Sequence, residues 1–167
     1  MNRDDLHAAA RQAADLITHS RWMVVLTGAG ISTPSGIPDF RSANTGLWTR
    51  DNPMEVASLS AFRHRPEKFF NWLRPLAEGM LNAKPNPAHY ALAHLEETGH
   101  LKAIITQNID GLHQKAGSSH VLEVHGSMQK LHCLTCQRIF PLEDYIDPFL
   151  HEKEIPRCTN CKSILKP

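Results

Sequence analysis

The chain has 167 residues, of which 41% are hydrophobic, and its 18 basic and 17 acidic residues leave a net charge of +1. This length suits one domain or one domain with a small insert, and the balanced charge gives no electrostatic basis for binding nucleic acid or a membrane surface. No apolar run approaches the length of a membrane span, and residues 1–11 do not resemble a signal peptide, so we expect a cytoplasmic protein.

The first two elements are a helix and a strand. Residues 5–19 carry apolar side chains at helical spacing, which predicts a packing helix capped by Asn2 or Asp4. Residues 22–27 are continuously apolar, which is typical of a strand in a parallel sheet that is covered on both faces.

The segment that follows, residues 27–41, reads TGAGISTPSGIPDFR. Gly28 suits a tight turn off the strand, and Gly30 lets backbone N–H groups approach a pyrophosphate at a helix N-terminus, with Ser32 or Thr33 as the cap. Thr33 stands where the general dinucleotide pattern has its third glycine. Taken alone, the glycines fit a plain strand-to-helix turn equally well.

The end of this segment, GIPDFR, supplies an acceptor, a stacking face and a phosphate-binding guanidinium. With the preceding GAGIS it resembles the first signature of the sirtuins. The resemblance implies that NAD binds here, at residues Gly28, Ala29, Gly30, Ser32, Thr33, Asp39, Phe40 and Arg41.

Residues 42–65 have no steady period, which predicts a long loop with short helical pieces, either a linker or, as the resemblance implies, a mobile cofactor-binding loop. Residues 66–81 predict a helix that Pro75 kinks or divides, with an aromatic stripe that we interpret as core. Sirtuins that prefer succinyl or malonyl lysine carry a Tyr-x-x-Arg pair in this helix. Our alignment puts Phe70 and Leu73 there, which favours a neutral acyl group such as acetyl, although a shift of one residue would restore Arg74.

Residues 84–98 predict a helix that Asn86 caps and Pro87 opens, with His89 and His94 as surface or packing residues. A buried strand follows at residues 101–106. It ends in TQNIDGLH, whose amides and carboxylate fall at the same sheet edge as the glycine turn. This octapeptide resembles the sirtuin motif that lines the ribose and nicotinamide pocket, formed here by Gln107, Asn108, Ile109 and Asp110. Asn108 and Asp110 also suit an Asx-capped turn into a helix over residues 109–115, and both roles are compatible.

A third strand, residues 121–124, delivers His125 and Gly126 at its carboxyl end. Histidine titrates near neutral pH and suits taking a proton from a ribose hydroxyl. In the sirtuin pattern this histidine is the general base, so we expect His125, with Asn108 and Asp110, to be catalytic. His113, His120 and His132 do not follow a strand beside a glycine.

Two Cys-x-x-Cys pairs, Cys133 with Cys136 and Cys158 with Cys161, suit one structural, tetrahedral Zn²⁺ ion. A pair of disulfides, a redox site, and a site in which His132 replaces one cysteine are the alternatives. A helix is expected between the pairs at residues 142–150, and loss of zinc should unfold residues 129–166.

These features predict an α/β fold: an incomplete Rossmann-like parallel sheet with flanking helices plus a small zinc-ribbon module. We expect residues 1–127 to form the NAD-binding portion, with residues 42–98 inserted, and residues 128–167 to form the zinc-binding module. Sirtuins continue into further strands, so we interpret the sequence as truncated or incomplete.

The resemblance implies an NAD-dependent protein-lysine deacetylase acting on an acetyl-lysine protein or peptide. The acetyl oxygen attacks the nicotinamide ribose, and His125 then deprotonates a ribose hydroxyl, giving deacetylated lysine, nicotinamide and O-acetyl-ADP-ribose. A zinc-stabilised binding or regulatory module without catalysis is the main alternative. A hydride-transferring dehydrogenase is a weaker one, because the acidic residue expected about 20 positions past the glycines has no candidate in a strand.

Overall fold

The computed structural model describes residues 2–167 as two small sheets with helices packed around them. The helices and strands, in chain order, are α1 (Arg3–His19), β1 (Met23–Thr27), α2 (Pro53–Val56), α3 (Leu59–His64), α4 (Pro66–Asn82), α5 (Pro87–Glu97), β2 (Leu101–Thr106), α6 (Leu112–Lys115), β3 (Val121–Glu123), β4 (Lys130–Cys133), β5 (Ile139–Pro141), α7 (Ile146–Leu150) and β6 (Leu165–Lys166). Short 3₁₀ helices cover Ala29–Ser35, Leu47–Thr49 and Leu142–Asp144.

The first sheet is parallel, in the order β1-β2-β3, with Thr27 opposite Thr106 and Thr106 opposite Glu123. The predicted α/β class and the parallel arrangement are therefore confirmed. The expectation of cover on both faces is wrong, because Val24, Leu26 and Leu122 stand 49%, 67% and 58% exposed along one face. A continuous apolar run shows that both faces of a strand suit burial, but it does not supply the second covering layer.

The helices begin largely where the capping residues predict. Asn2 caps α1 in a reciprocal capping box with Asp5, and Asn86 caps α5. The packing role expected for α1 is wrong, since Arg3–His19 contains no buried residue. Helix α4 runs undivided through Pro75, because buried Phe70, Leu73 and Ala77 hold it on both sides of the proline. Among residues 2–167, none of the helices is long and apolar enough to cross a bilayer.

The second sheet is antiparallel, in the order β5-β4-β6, and its central strand β4 ends at Cys133. The hydrophobic core beside this sheet continues into α4, because Phe70 of α4 packs edge-on against Phe149 of α7 with ring centroids 5.9 Å apart. Leu131 and Leu165 belong to the same cluster of buried side chains. Helix α4 thus packs against the cysteine-bearing module, while the division into domains at residue 127 stays a prediction.

Candidate functional site

A cavity of about 270 Å³ lies at the carboxyl ends of the three parallel strands. Each strand contributes a segment to its lining, as expected for an open α/β sheet. Of the predicted site residues, those that line it are Ala29, Ser32, Phe40, Gln107, Asn108, Ile109, Asp110 and His125. The remaining predicted cofactor residues, Gly28, Gly30, Thr33, Asp39 and Arg41, lie outside this lining within residues 2–167.

A hydrogen-bond network joins the ends of β1 and β2. Fully buried Ser32 donates its hydroxyl to Asp110 Oδ2 at 2.7 Å. Asn108 Nδ2 donates to Gly28 O and to Ser32 Oγ, both at 3.1 Å. The second carboxylate oxygen of Asp110 accepts the backbone N–H of Leu112 at 2.9 Å. Asp110 therefore holds the turn into α6 and also lines the cavity, while its role toward NAD stays a prediction.

The end of β3 places His125 at the cavity with a defined tautomer. Its Nδ1 lies 3.1 Å from the carbonyl oxygen of Gln107. A carbonyl oxygen only accepts, so Nδ1 carries the proton and Nε2 of the neutral ring keeps a lone pair. The side chain is exposed, which leaves this lone pair accessible to a proton donor.

The turn after β1 does not depend on the conformational freedom of glycine, contrary to the expectation. Gly28 has φ −139° and ψ −172°, an extended conformation that any residue adopts, so the tight-turn argument is wrong. An added Cβ on Gly28 would meet only Gln107 Nε2 at 3.9 Å, and among the described residues nothing lies within 4 Å of one on Gly30. Neither glycine is required by the fold, and the open space beside them suits a ligand that approaches the backbone.

The expected cap of this turn is also wrong. The segment after Gly28 is a 3₁₀ helix that has no side-chain cap. Ser32 is instead committed to Asp110, and Thr33 donates to Gly30 O at 3.0 Å. The cause is tertiary: Asp110, which lies 78 residues along the chain, competes for the Ser32 hydroxyl.

Asp39 and Phe40 are neighbours in the sequence but have different roles in the structure. The Asp39 carboxylate accepts from the Ser42 hydroxyl and from the backbone N–H groups of Ser42 and Arg41, and these bonds, led by the Ser42 hydroxyl, lower the pKa of Asp39. Asp39 thus shapes the loop. Phe40 lines the cavity and stacks on Trp48 with ring centroids 5.1 Å apart, and Trp48 stacks on Trp72 at 5.8 Å.

Sequence reasoning missed the apolar wall opposite the polar groups. It includes Phe62 of α3 together with Phe69, Trp72, Leu73, Leu76 and Met80 of α4. We interpreted the stripe on α4 as core, and Phe69 and Leu73 are indeed buried. The missed signal was its width: Trp72 and Met80 extend the apolar face beyond what one packing contact needs.

The cysteines form a metal-binding arrangement. The four sulfur atoms all lie within 4.8 Å of one another, with Cys133 and Cys161 at 3.4 Å and Cys136 and Cys158 at 3.6 Å. Zinc–sulfur bonds of about 2.3 Å place tetrahedral sulfurs about 3.8 Å apart, so the geometry fits one Zn²⁺. All four thiols are free, which disfavours the disulfide alternative, and exposed His132 is not part of the cluster.

A parallel α/β sheet with a cavity at its carboxyl edge, joined to a four-cysteine module, defines a Rossmann-like protein with a structural-metal site. The model of the Sir2 family matches residues 28–167, and the chain belongs to this family.

Relatives of this chain agree with that assignment. The chain is 50% identical over 153 residues to NAD-dependent protein deacylase 2 of Archaeoglobus fulgidus, covering 92% of this chain and 59% of the relative. It is 45% identical over 157 residues to an NAD-dependent protein deacetylase of Thermotoga maritima, covering 94% and 63%. The chain therefore spans about 60% of the length of these curated relatives.

Solved structures are similar throughout the chain. A Sir2 protein with a deacetylated p53 peptide and 3′-O-acetyl ADP-ribose is 44% identical and superimposes with a TM-score of 0.85, covering 94% of this chain and 63% of that one. A Sir2 complex with a p53 peptide and NAD⁺ is 44% identical with a TM-score of 0.81, covering 93% and 61%.

Proposed function

We propose that this protein acts in NAD-dependent removal of acetyl groups from protein lysines, and that residues 28–125 supply the nicotinamide and acyl-lysine side of the site. The observation that carries the proposal is the cavity, which His125 and Asp110 both line together with an apolar wall. The names of the relatives and the acetylated ligands of the similar structures support it.

The residues divide the work by their chemistry. NAD, when bound, would supply the ribose carbon that the acyl oxygen attacks as nicotinamide leaves, and the ribose hydroxyl to which the acyl group is then transferred. The space beside Gly28 and Gly30 leaves their backbone open to the NAD phosphates, whereas Asn108 and Asp110, which line the cavity, suit the ribose and the carboxamide. His125 Nε2 takes a proton from a hydroxyl of the ribose, and Phe40 excludes water from the reacting carbon.

The wall of the cavity favours a neutral acyl group. Arg74, one residue past the position that would read an acyl carboxylate, is engaged elsewhere. Its Nε donates to Phe149 O at 2.6 Å and its Nη2 to Lys153 O at 3.0 Å, and its guanidinium stacks over the Phe149 ring. Acetyl-lysine is therefore the expected substrate, in a protein or a peptide.

Replacement of His125 by alanine tests the function. A general base contributes about 10²- to 10⁴-fold, so His125→Ala should lower NAD-dependent deacetylation of an acetyl-lysine peptide by that factor. His64→Ala is the matched control, because His64 is also exposed and also places Nδ1 3.1 Å from a backbone carbonyl oxygen, that of Ser60. Equal rates for the two variants, at equal zinc content, would refute the proposal.

The acyl preference has its own measurement. Peptides of one sequence that carry either acetyl-lysine or succinyl-lysine should differ in kcat/KM by at least about tenfold in favour of acetyl, because the apolar wall leaves a carboxylate unpaired. Equal or reversed rates would contradict it. The cytoplasmic location stays a prediction, to be checked by cell fractionation. Elemental analysis would measure the zinc that the four cysteines fit.

A further inference from the structure

Two buried histidines lie outside the cavity lining, and the proposed reaction does not use them. His89 of α5 and His113 of α6 are 0% and 1% exposed, and their ring centroids lie 4.9 Å apart. Burial lowers the pKa of both rings, and the neighbouring His89 lowers that of His113 further, while the Asp110 carboxylate opposes the shift in both. Both rings are thus neutral near pH 7, and each carries one proton.

Local hydrogen bonds fix the tautomer of His89. The backbone N–H of Asn86 donates to His89 Nδ1 at 3.3 Å, within the capping box of α5. An amide N–H cannot accept, so Nδ1 holds a lone pair and the ring proton lies on Nε2.

The tautomer of His113 follows from two threonines. His113 Nε2 lies 2.9 Å from Thr27 Oγ1, and Thr27 Oγ1 donates to Thr106 Oγ1 at 2.8 Å. A hydroxyl has one proton, so Thr27 accepts from His113 Nε2–H, and His113 Nδ1 keeps a lone pair.

These assignments leave one donor and one acceptor unused, and they are complementary. Within residues 2–167, His89 Nε2 and His113 Nδ1 are buried and have no hydrogen-bond partner. A buried N–H and a buried ring nitrogen are costly when left unpaired. The ring centroids lie 4.9 Å apart, and one water that bridges the two nitrogens would satisfy both.

We propose that His89 and His113 form a hydrogen-bonded positioning pair joined by one water, which accepts from His89 Nε2–H and donates to His113 Nδ1. The pair connects α5 and α6 in one directed series of bonds. It begins at the backbone of Asn86 and ends at the hydroxyl groups of Thr27 and Thr106 on the parallel sheet.

Both ends of this series hold the site. At one end, Asn86 Nδ2 donates to Ile31 O at 2.7 Å and to Ser35 Oγ at 2.9 Å, which fixes the 3₁₀ helix after β1. At the other end, Thr106 Oγ1 accepts the backbone N–H of Asn108 at 3.0 Å. The pair thereby sets the distance between Gly28 O and Asn108 Nδ2, which donates to it.

Nitrogen NMR of the ¹⁵N-histidine-labelled 167-residue chain tests the tautomers directly. Both rings should show the neutral Nε2–H pattern at pH 7.5, with signals assigned by the variants His89→Gln and His113→Gln. A Nδ1–H tautomer or an imidazolium at either position would overturn the proposal.

Amide hydrogen exchange tests the positioning role. His113→Leu removes the donor to Thr27 and should speed exchange of the Asn108 amide about tenfold, whereas His113→Gln places an N–H near the same point and should restore most of the protection. The Cys133 amide, which donates to Arg138 O at 2.9 Å in the cysteine-bearing module, should not change. Equal exchange in the two variants, or a uniform increase that includes Cys133, would show a general packing role and refute the pair.

The consequence of the pair for catalysis rests on the proposed function, but neither measurement needs turnover. If the chain is active, His113→Leu should raise the KM for NAD more than it lowers kcat, and His113→Gln should reverse the change. An inactive chain with both expected tautomers would count against the proposed function and support the pair. An active chain with other tautomers would do the reverse.

Discussion

Replacing Glu96 by glutamine should destabilise the protein by about 2–3 kcal/mol, because its carboxylate holds the chain that enters β3. The carboxylate accepts from Ser119 Oγ at 2.7 Å, from His120 N at 2.8 Å and from Ser119 N at 3.2 Å. His120 Nδ1 also lies 2.8 Å from Glu96 Oε1. Glutamine keeps one oxygen acceptor but loses the charge that strengthens these bonds.

The magnitude follows from the pKa of Glu96. Burial alone would raise this pKa, but the bonds from Ser119 and His120 outweigh it and lower the pKa to about 2, from an ordinary 4.5. At about 1.4 kcal/mol per pKa unit, the difference corresponds to about 3 kcal/mol. The Glu96 side chain is 9% exposed, but its partners Ser119 and His120 are exposed, so solvent screening lowers the expected value to about 2 kcal/mol. Because the folded-state pKa is the lower one, the stabilisation is complete above pH 4.5 and declines as the pH falls toward 2.

Urea unfolding followed by circular dichroism, with zinc present, measures this effect. Glu97→Gln is the matched control. The Glu97 carboxylate is 79% exposed, so this substitution should change the free energy of unfolding by less than about 0.5 kcal/mol. At pH 3.5 the difference in free energy of unfolding between Glu96→Gln and the wild-type chain should be smaller than at pH 7.5 by about 1.4 kcal/mol. If the two glutamine variants unfold at the same urea concentration at pH 7.5, the reasoning about Glu96 is wrong.

Three further substitutions test other parts of the structure. Gly46→Ala should disorder the loop that carries Phe40 and Trp48, because an added Cβ would lie 2.7 Å from the backbone nitrogens of residues 41 and 42. Thermal unfolding should show a lower Tm for this variant, whereas Gly79→Ala, with open space in α4, should leave the Tm unchanged or raise it. Cys158→Ser should abolish binding of one zinc per chain by elemental analysis, and full retention of zinc would contradict the four-thiolate site. Phe149→Ala should cost about 3–5 kcal/mol in urea unfolding, because the ring is 3% exposed in the shared core; a loss under about 1 kcal/mol would show that the core is not shared.

Features that depend on neighbours in the chain were predictable from the sequence. Asn86 followed by Pro87 predicts the start of α5, and the structure begins the helix at Pro87. The polar residues after each strand meet at one edge because the carboxyl ends of parallel strands coincide, which places Asn108 and His125 at one cavity.

Features that depend on contacts between distant segments were not predictable. Ser32 was expected to cap a turn, but the hydroxyl lies beside Asp110 and bonds to it. His89 was interpreted as a surface or packing residue, since no local pattern shows that α6 brings His113 against it. The apolar face of α1 predicts packing only if a partner surface exists, and periodicity alone does not supply one.

The stack of Phe40, Trp48 and Trp72 allows the position of the loop that carries Phe40 and Trp48 to be followed by fluorescence. The two indole rings lie 14° from parallel, and Trp48 also stacks on Phe40 at the cavity. Trp22, the third tryptophan of the chain, is 76% exposed and emits from a different environment. A Trp22→Phe variant therefore confines the indole fluorescence to the stacked pair, so that separation of the loop from α4 becomes a change in emission that a stopped-flow instrument can follow.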